Sequence, residues 1–307
     1  MRKHLAVAAL LLFSLPASAE PPDVVATIKP LHSLVAAVMA GVGTPHLLIR
    51  GAGSPHSYQM RPSDARALAD ADAIFWAGEG MEAFLVRPLE ALAGDARVVE
   101  LAEAPGLERL PLREGGAWEA HEEEERAQEH GHDEARDMHF WLDPRNAMAM
   151  ADAIAATLAE VDAENSERYR DNANALKARL TVLDGELEQA LLPVRNRPYI
   201  VFHDAYQYFE RRYRLRPAGS ITVSPEVAPG AKRIAEIRDK VRRSGAACVF
   251  AEPQFEPKLA RLALQGSEAR LAVLDPLGAE LADGPMLYVT LMRELAGALR
   301  QCLLPQG

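Results

Sequence analysis

Cysteine is scarce in this sequence, and positively charged side chains are outnumbered by negatively charged ones. The 307 residues include 34 lysines and arginines against 44 aspartates and glutamates, which gives a formal net charge of −10. This balance argues against a nucleic-acid partner, because nucleic-acid binding depends on basic side chains that neutralise phosphates. It favours a cationic ligand instead.

The chain has two cysteines, Cys248 and Cys302. Two thiolates alone make an incomplete zinc site, and no histidine lies near either cysteine in the sequence. In an exported protein, an even pair of cysteines suggests a structural disulfide. The pattern therefore predicts a disulfide between Cys248 and Cys302, with a thiolate metal pair as the alternative.

Long apolar runs are also missing, apart from one at the N-terminus. Residues 1–19 have a basic start, an apolar core over 5–15 and the small-residue box Ala17-Ser18-Ala19, which are the parts of a secretory signal peptide. The apolar core is too short to span a bilayer comfortably, so an N-terminal membrane helix is the less favoured alternative. We expect export, cleavage near Ala19 and a soluble mature protein.

Short apolar runs alternate with helix-like segments, which is the pattern of a mostly parallel sheet covered by helices. Strands are predicted at 24–28, 46–49, 73–76 and 97–101 in the first half and at 199–202, 220–223, 247–251 and 271–274 in the second. Helices are predicted at 31–40, 61–70, 82–93, 144–160, 206–212, 231–243, 257–264 and 286–302. Each half thus contains about four β–α units.

Residues 165–192, between the two halves, predict one long amphipathic helix that Pro193 ends. Its length suits a brace between two lobes. We therefore predict an α/β protein of two lobes, each a mostly parallel four-stranded sheet covered by helices, joined by a long rigid helix. The expected division is an N-terminal lobe at 20–163, a linking helix at 164–192 and a C-terminal lobe at 193–307.

Four polar residues follow predicted strands, namely His56, His139, His203 and Asp275. Ligands of open α/β sheets bind at the carboxyl ends of the strands, and a cleft between the lobes would gather all four residues. Three neutral imidazoles with one carboxylate or a water make a tetrahedral zinc site, and nitrogen donors favour zinc over manganese. For any single histidine, a hydrogen-bonded structural role is the alternative.

The segment 115–137, which precedes His139, is strongly acidic. Nine acids lie at 119–137, together with His121, His130 and His132. Such a segment cannot bury enough apolar surface to fold alone, so we expect a mobile loop. The histidines beside the acids predict a weak, exchangeable metal site, with a solvated charged loop as the alternative. The apolar residues after His139 predict an anchor that holds this histidine on the folded body.

Several common enzyme motifs are missing. The sequence contains no His-Glu-x-x-His, no Gly-x-Ser-x-Gly and no phosphate-binding P-loop. A zinc-dependent hydrolase could still use three histidines and a metal-bound water. It would need an open fourth position and a general base, for which Asp275 is the candidate, so this alternative remains open.

Four motifs together resemble the zinc-binding solute-binding proteins of ABC transporters, of the ZnuA type. The resemblance covers almost the whole mature chain and includes the acidic histidine-containing loop and the cysteine pair. It implies two α/β lobes joined by a rigid helix, with a metal between them. The motifs are Gly53-Ser54-Pro55-His56-Ser57-Tyr58 with Arg61-Pro62-Ser63-Asp64, Met138-His139-Phe140-Trp141-Leu142-Asp143-Pro144, Phe202-His203-Asp204-Ala205-Tyr206 and Phe250-Ala251-Glu252-Pro253-Gln254-Phe255.

The resemblance also implies roles for single residues. His56, His139 and His203 correspond to the family's three zinc-binding histidines, and Asp275 corresponds to the carboxylate that manganese-binding relatives use as a fourth ligand. Those relatives usually have a glutamate at the position of His203, which favours zinc over the alternative of a manganese- or iron-binding member. Pro55 stands where some zinc members have a glutamate that approaches the metal, so Asp275 or water is left as the fourth ligand.

The function that the resemblance implies is capture of Zn²⁺, the transported ligand, in the periplasm. The expected partner is an inner-membrane ABC permease with a cytoplasmic ATPase, and no enzymatic activity is expected. We expect a monomer. An adhesin-like surface protein is disfavoured, because the sequence has no visible anchor.

Overall fold

The computed structural model describes residues 20–113, 118, 136–222, 225 and 230–305. Two sheets of four parallel strands, one in each half of the chain, dominate this part of the protein. The predicted architecture, two parallel α/β sheets joined by a long helix, is therefore confirmed.

The first sheet has the strand order β2-β1-β3-β4. Both β1 and β3 are buried along their whole length. Strands that are covered on both faces consist of continuous apolar runs, and for this reason the sequence pattern predicts them well. The four strands are β1 (Val24–Ala26), β2 (His46–Leu47), β3 (Ala73–Trp76) and β4 (Arg97–Glu100).

A proline lies at one of the first two positions of two helices in the first half, Lys29–Val38 and Pro62–Ala69. The Asp64 carboxylate accepts a hydrogen bond from the Arg61 backbone N–H at 2.8 Å and so closes the first turn of α2. The single helix predicted at 82–93 is broken, because Pro88 lacks an N–H and its ring excludes a continuous α-helix through the preceding turn. The elements are α1 (Lys29–Val38), α2 (Pro62–Ala69), α3 (Glu79–Glu82), a 3₁₀ turn (Ala83–Leu85) and α4 (Val86–Leu92).

The second sheet repeats this arrangement with the order β6-β5-β7-β8. Edge strand β6 starts three residues before the predicted position, at Pro217, and proline is tolerated at the start of an edge strand. Its register against β5 shifts beside Gly219, whose φ of 135° favours glycine. The strands are β5 (Tyr199–His203), β6 (Pro217–Thr222), β7 (Cys248–Ala251) and β8 (Arg270–Val273).

In sequence, two helices separate the strands of the first sheet from those of the second: α5 (Pro144–Val161) and α6 (Ser166–Leu191). Helix α6 has 26 residues and is therefore about 39 Å long at 1.5 Å per residue. Pro193 lies in the 3₁₀ turn Leu192–Val194 that ends it. One stripe of α6 is buried along its whole length, which fits a brace: Tyr169, Ala173, Leu176, Leu180, Leu183, Leu187 and Leu191.

A second connection between the halves was not predicted. The last helix, α10 (Leu287–Leu303), packs against both α1 and α6. The Tyr288 N–H donates to Ser33 Oγ at 2.9 Å, and the buried Lys29 ammonium donates to the carbonyls of Ala279 and Leu281 at 3.1 and 2.7 Å. The remaining helices of the second half are α7 (Gln207–Tyr213), α8 (Ala231–Ser244) and α9 (Lys258–Leu264).

The predicted disulfide is present between Cys248, at the start of β7, and Cys302, in the last turn of α10. Both sulfurs are thereby used, so the alternative of a thiolate metal pair does not apply. The bond closes a loop with a sequence separation of 54 residues, for which the chain-entropy model gives about 4 kcal/mol of stabilisation. The disulfide ties the C-terminal helix to the second sheet.

Candidate metal centre

His56 lies in the loop between β2 and α2. Its backbone N–H donates to Ser54 Oγ at 3.3 Å. Its ring centroid is 5.5 Å from those of both His139 and His203. The loop therefore brings the first histidine to the other two.

His139 is held by the residues on both sides of it. Oδ1 of Asp137 accepts hydrogen bonds from the His139 backbone N–H at 2.9 Å and from its Nδ1 at 2.8 Å. The following 3₁₀ turn, Phe140–Leu142, is fully buried, and the indole N–H of Trp141 donates to the Pro276 carbonyl at 2.9 Å. The predicted apolar anchor after His139 is confirmed.

His203 is the last residue of β5 and is buried. Its Nδ1 lies 2.8 Å from the carboxylate of Glu252. Glu252 directly follows β7, which is the neighbour of β5 in the sheet. The carboxyl ends of two adjacent parallel strands thus supply the histidine and the carboxylate that orients it.

The three imidazoles converge on one point. One ring nitrogen of each histidine lies within 4.8 Å of those of the other two. The Nε2 atoms of His139 and His203 are 3.3 Å apart, while the Nδ1 atom of each is engaged by a carboxylate. Histidines that ligate a metal through one nitrogen commonly donate the other N–H to a carboxylate, which sets the tautomer and the ring orientation.

Burial and mutual repulsion control the protonation of the site. Burial lowers the pKa of His56 and of His139 well below the ordinary value, and the charge of His203 lowers both further. Burial also lowers the pKa of His203, but the charge and hydrogen bond of Glu252 outweigh it and raise the pKa overall. Burial raises the pKa of Asp137 to about 7. His56 and His139 are therefore neutral near pH 7, as a metal ligand must be.

The structure does not bring Asp275 into this group. Its Oδ1 accepts the backbone N–H groups of Leu277 and Gly278, each at 3.0 Å, and the side-chain N–H of Gln254 at 2.8 Å. Its Oδ2 accepts the Ala279 N–H at 2.6 Å. Asp275 lies just beyond the end of β8, and its carboxylate closes the following turn.

Two further histidines, His32 and His46, lie elsewhere in the first half of the chain. His32 is buried, and its Nε2 lies 3.1 Å from the Pro45 carbonyl, while His46 begins β2. Neither belongs to the group of three converging histidines. His121, His130 and His132 lie outside the described residues, so the loop metal site stays a prediction.

Two residues of the centre were missed from the sequence, Asp137 and Glu252. Both lie in stretches that the sequence had singled out, and each is buried. The spacing Asp-x-His at 137–139 and the position of Glu252 at a strand end were the available signals. Neither signal by itself identifies a histidine as the partner of the carboxylate.

The small pocket at this centre has apolar walls. Trp141, Phe255, Pro276 and Leu277 line it together with the histidines. Such walls limit water around the imidazoles and so strengthen electrostatic interactions with a bound cation.

A comparison with known families agrees with this geometry. The model of the family described as "ZnuA: Zinc-uptake complex component A periplasmic" matches residues 24–302. The chain belongs to the ZnuA family. This is a family of periplasmic transport components for zinc and not of enzymes, so the hydrolase alternative is not supported.

Named ZnuA proteins resemble the chain over most of their length. The high-affinity zinc uptake system protein ZnuA of Brucella abortus is 51% identical, and the alignment covers 92% of each chain. The ZnuA protein of Paracoccus denitrificans is 38% identical over 96% of each. A zinc-bound crystal structure of a ZnuA deletion mutant superposes with a TM-score of 0.77 at 26% identity, over 94% of this chain and 100% of the other.

Proposed function

We propose that this ZnuA-family protein captures one Zn²⁺ between His56, His139 and His203 and delivers it to an inner-membrane ABC permease with a cytoplasmic ATPase. The convergence of three imidazole nitrogens within 4.8 Å supports this proposal most directly. The family description and the names of the relatives agree with it.

The donor set favours zinc over manganese or iron. Three imidazole nitrogens and one further ligand make a tetrahedral zinc site, whereas manganese prefers more carboxylate oxygen. The carboxylates beside the site, Asp137 and Glu252, hydrogen-bond the histidines from behind, so they support ligands and do not act as ligands in this proposal. A water molecule is the proposed fourth ligand.

The cellular setting follows from the N-terminus and the cysteines. Residues 1–19 are proposed to be a signal peptide, cleaved near Ala19, that directs the chain to the periplasm. The disulfide suits that oxidising compartment. In the part of the chain that the structure describes, no helix combines the length and apolar character needed to cross a membrane. We propose that the protein acts as a monomer.

The roles of the segments are also part of the proposal. The N-terminal lobe at 20–163 contributes His56 and His139, and the C-terminal lobe at 193–307 contributes His203. The linking helix at 164–192 limits how far the lobes separate. The acidic segment at 115–137 raises the local concentration of cations by electrostatic attraction.

Metal analysis of the protein purified without added metal tests the proposal, followed by competition between zinc and manganese. We expect one zinc per chain at the tight site and displacement of manganese by equimolar zinc. Retention of manganese or iron against zinc would contradict the proposed cargo. Permease coupling is tested separately by zinc-limited growth of cells in which this chain is the only zinc-binding component.

A further inference from the structure

The chain segments on both sides of residues 114–135 form a stem on the folded body, defined as residues 108–113 and 136–137. Pro111 and Arg136 pair as an antiparallel bridge, and the Asp137 N–H donates to the Leu110 carbonyl at 2.9 Å. The stem ends at Asp137, which engages His139. A shift of the stem would therefore move one of the proposed zinc ligands.

Helix α7 of the second half holds this stem from the other side. The Tyr208 hydroxyl donates to the Asp137 carbonyl at 2.9 Å and accepts the Leu110 N–H at 3.0 Å. Tyr208 is buried. Both segments of the stem are thus hydrogen-bonded to the side chain of Tyr208, which lies five residues after His203 in the chain.

Arg113 adds a partly buried ion network at the same junction. Its Nε donates to Asp204 Oδ2 at 3.0 Å, its Nη2 donates to the other oxygen of Asp204, and its Nη1 lies 2.8 Å from Glu210 Oε2. The side chains of Arg113, Asp204 and Glu210 are 18%, 16% and 3% exposed. The Trp118 ring covers the guanidinium of Arg113, whose Cζ lies 3.5 Å from the ring centroid.

Both carboxylates of this network are connected to β5, the strand that ends in His203. Asp204 directly follows His203, and Glu210 Oε1 accepts the hydroxyl of Tyr199, the first residue of β5, at 2.9 Å. One arginine from the first half therefore holds both ends of this strand. Without it, the buried carboxylate of Glu210 and the partly buried carboxylate of Asp204 would lose their compensating charge, which is costly where solvent screening is weak.

We propose that Arg113 is a positioning residue of the zinc site. It holds the end of β5 against the stem and thereby sets the separation between His203 and His139. This inference rests on the proposed function, since it assumes that these two histidines share a zinc ion. It assigns an affinity-setting role to a residue that does not contact the metal.

The variants Arg113→Gln and Arg113→Lys test this role, with Arg211→Gln as the matched control. Arg211 pairs with Glu108 at 2.8 Å and so bridges the same two segments, but its side chain is 62% exposed. We expect Arg113→Gln to lower zinc affinity at least tenfold and to change the visible spectrum of the Co²⁺-substituted protein, which reports ligand geometry. Arg113→Lys should recover part of the affinity, because lysine keeps the positive charge but cannot form the bidentate hydrogen bonds to Asp204. Arg211→Gln should stay within about twofold of wild type, as expected for an exposed ion pair.

A purely structural role would give a different result. If Arg113→Gln lowers the melting temperature but leaves zinc affinity and the Co²⁺ spectrum as in wild type, the inference is overturned. If that variant does not fold, Asp204→Asn is measured in the same way, and unchanged affinity there overturns it equally. A wild-type protein that takes up no zinc in the same assay would contradict the proposed function itself, which distinguishes the two failures.

Discussion

Nε2 of His139 and Nε2 of His203 lie 3.3 Å apart, although 64 positions separate the two residues in the chain. The first follows an acidic segment in one half, and the second ends a buried strand in the other half. Two nitrogens this close, each with its partner nitrogen held by a carboxylate, are the arrangement that the proposed zinc site requires.

Replacement of His203 should affect zinc binding far more than replacement of His121. His203 is buried in the centre, whereas His121 belongs to the acidic segment. We expect His203→Ala to weaken zinc by more than about 100-fold, since loss of a ligand should exceed the 10- to 100-fold typical of an outer partner. His121→Ala should leave the tight site unchanged. Calorimetric titration measures both, and equal losses would contradict this ranking.

The two carboxylates behind the histidines should also affect affinity. We expect Asp137→Asn and Glu252→Gln each to lower zinc affinity by about 10- to 100-fold, because each carboxylate orients one imidazole. Asp152→Asn is the control, since Asp152 pairs with Lys177 on the surface and its side chain is 61% exposed. Competition with a zinc chelator measures the changes. Wild-type affinity in both variants would argue against a supporting role for these carboxylates.

Zinc affinity should fall with decreasing pH in a way that the three pKa shifts determine. Zinc needs neutral imidazoles, and the depressed pKa values keep His56 and His139 neutral below pH 6.5. The raised pKa of His203 makes it the first of the three to take up a proton as the pH falls. We therefore expect affinity to begin to decline above pH 6.5 as the pH falls, with about one proton bound per zinc released in this range.

Titrations between pH 5 and pH 7.5 check this dependence. Equal affinity at both ends would contradict a site of three histidines. Uptake of three protons in a single step as zinc is released near pH 6.5 would contradict the opposite directions of the pKa shifts of His203 and of the other two histidines.

Removal of residues 119–135 should spare the tight site. The deletion leaves Asp137, His139 and their partners in place, but it removes His121, His130, His132 and most of the local acids. We expect one tight zinc per chain to remain and the weaker binding events to disappear from the calorimetric isotherm. Loss of all zinc binding would place the main site in the acidic segment instead.

The disulfide should stabilise the fold without serving the metal. We expect the double variant Cys248→Ala with Cys302→Ala to lose about 4 kcal/mol of unfolding free energy, the value that the chain-entropy model gives for this loop. Zinc affinity should stay at the wild-type value, because neither cysteine belongs to the histidine group. Urea denaturation and zinc titration of the same sample separate the two effects.

The sequence predicted the strands and the three histidines for a clear physical reason. Buried parallel strands consist of continuous apolar runs, and the ligand-binding residues of such sheets lie at or just after the strand ends, as His203 lies at the end of β5. The break of the predicted helix 82–93 at Ala83–Leu85 was also predictable in principle, since Pro88 disfavours a continuous α-helix through the turn that precedes it.

Other features depend on contacts that a linear pattern does not contain. Whether Asp275 turns to a metal or to the backbone N–H groups of its own turn depends on the local turn geometry. The pairing of Glu252 with His203 requires that β7 lies beside β5. The packing of α10 against α1 joins the two ends of the chain, and no periodicity within either helix indicates its partner.

X-ray absorption at the zinc edge of the 1:1 zinc complex tests the central claim most directly. The account predicts a four-coordinate zinc with three imidazole nitrogens at about 2.0–2.1 Å. In His203→Ala the same measurement should lose one imidazole. A first coordination shell with fewer than three imidazoles in the wild-type protein, or one unchanged in His203→Ala, would contradict the account.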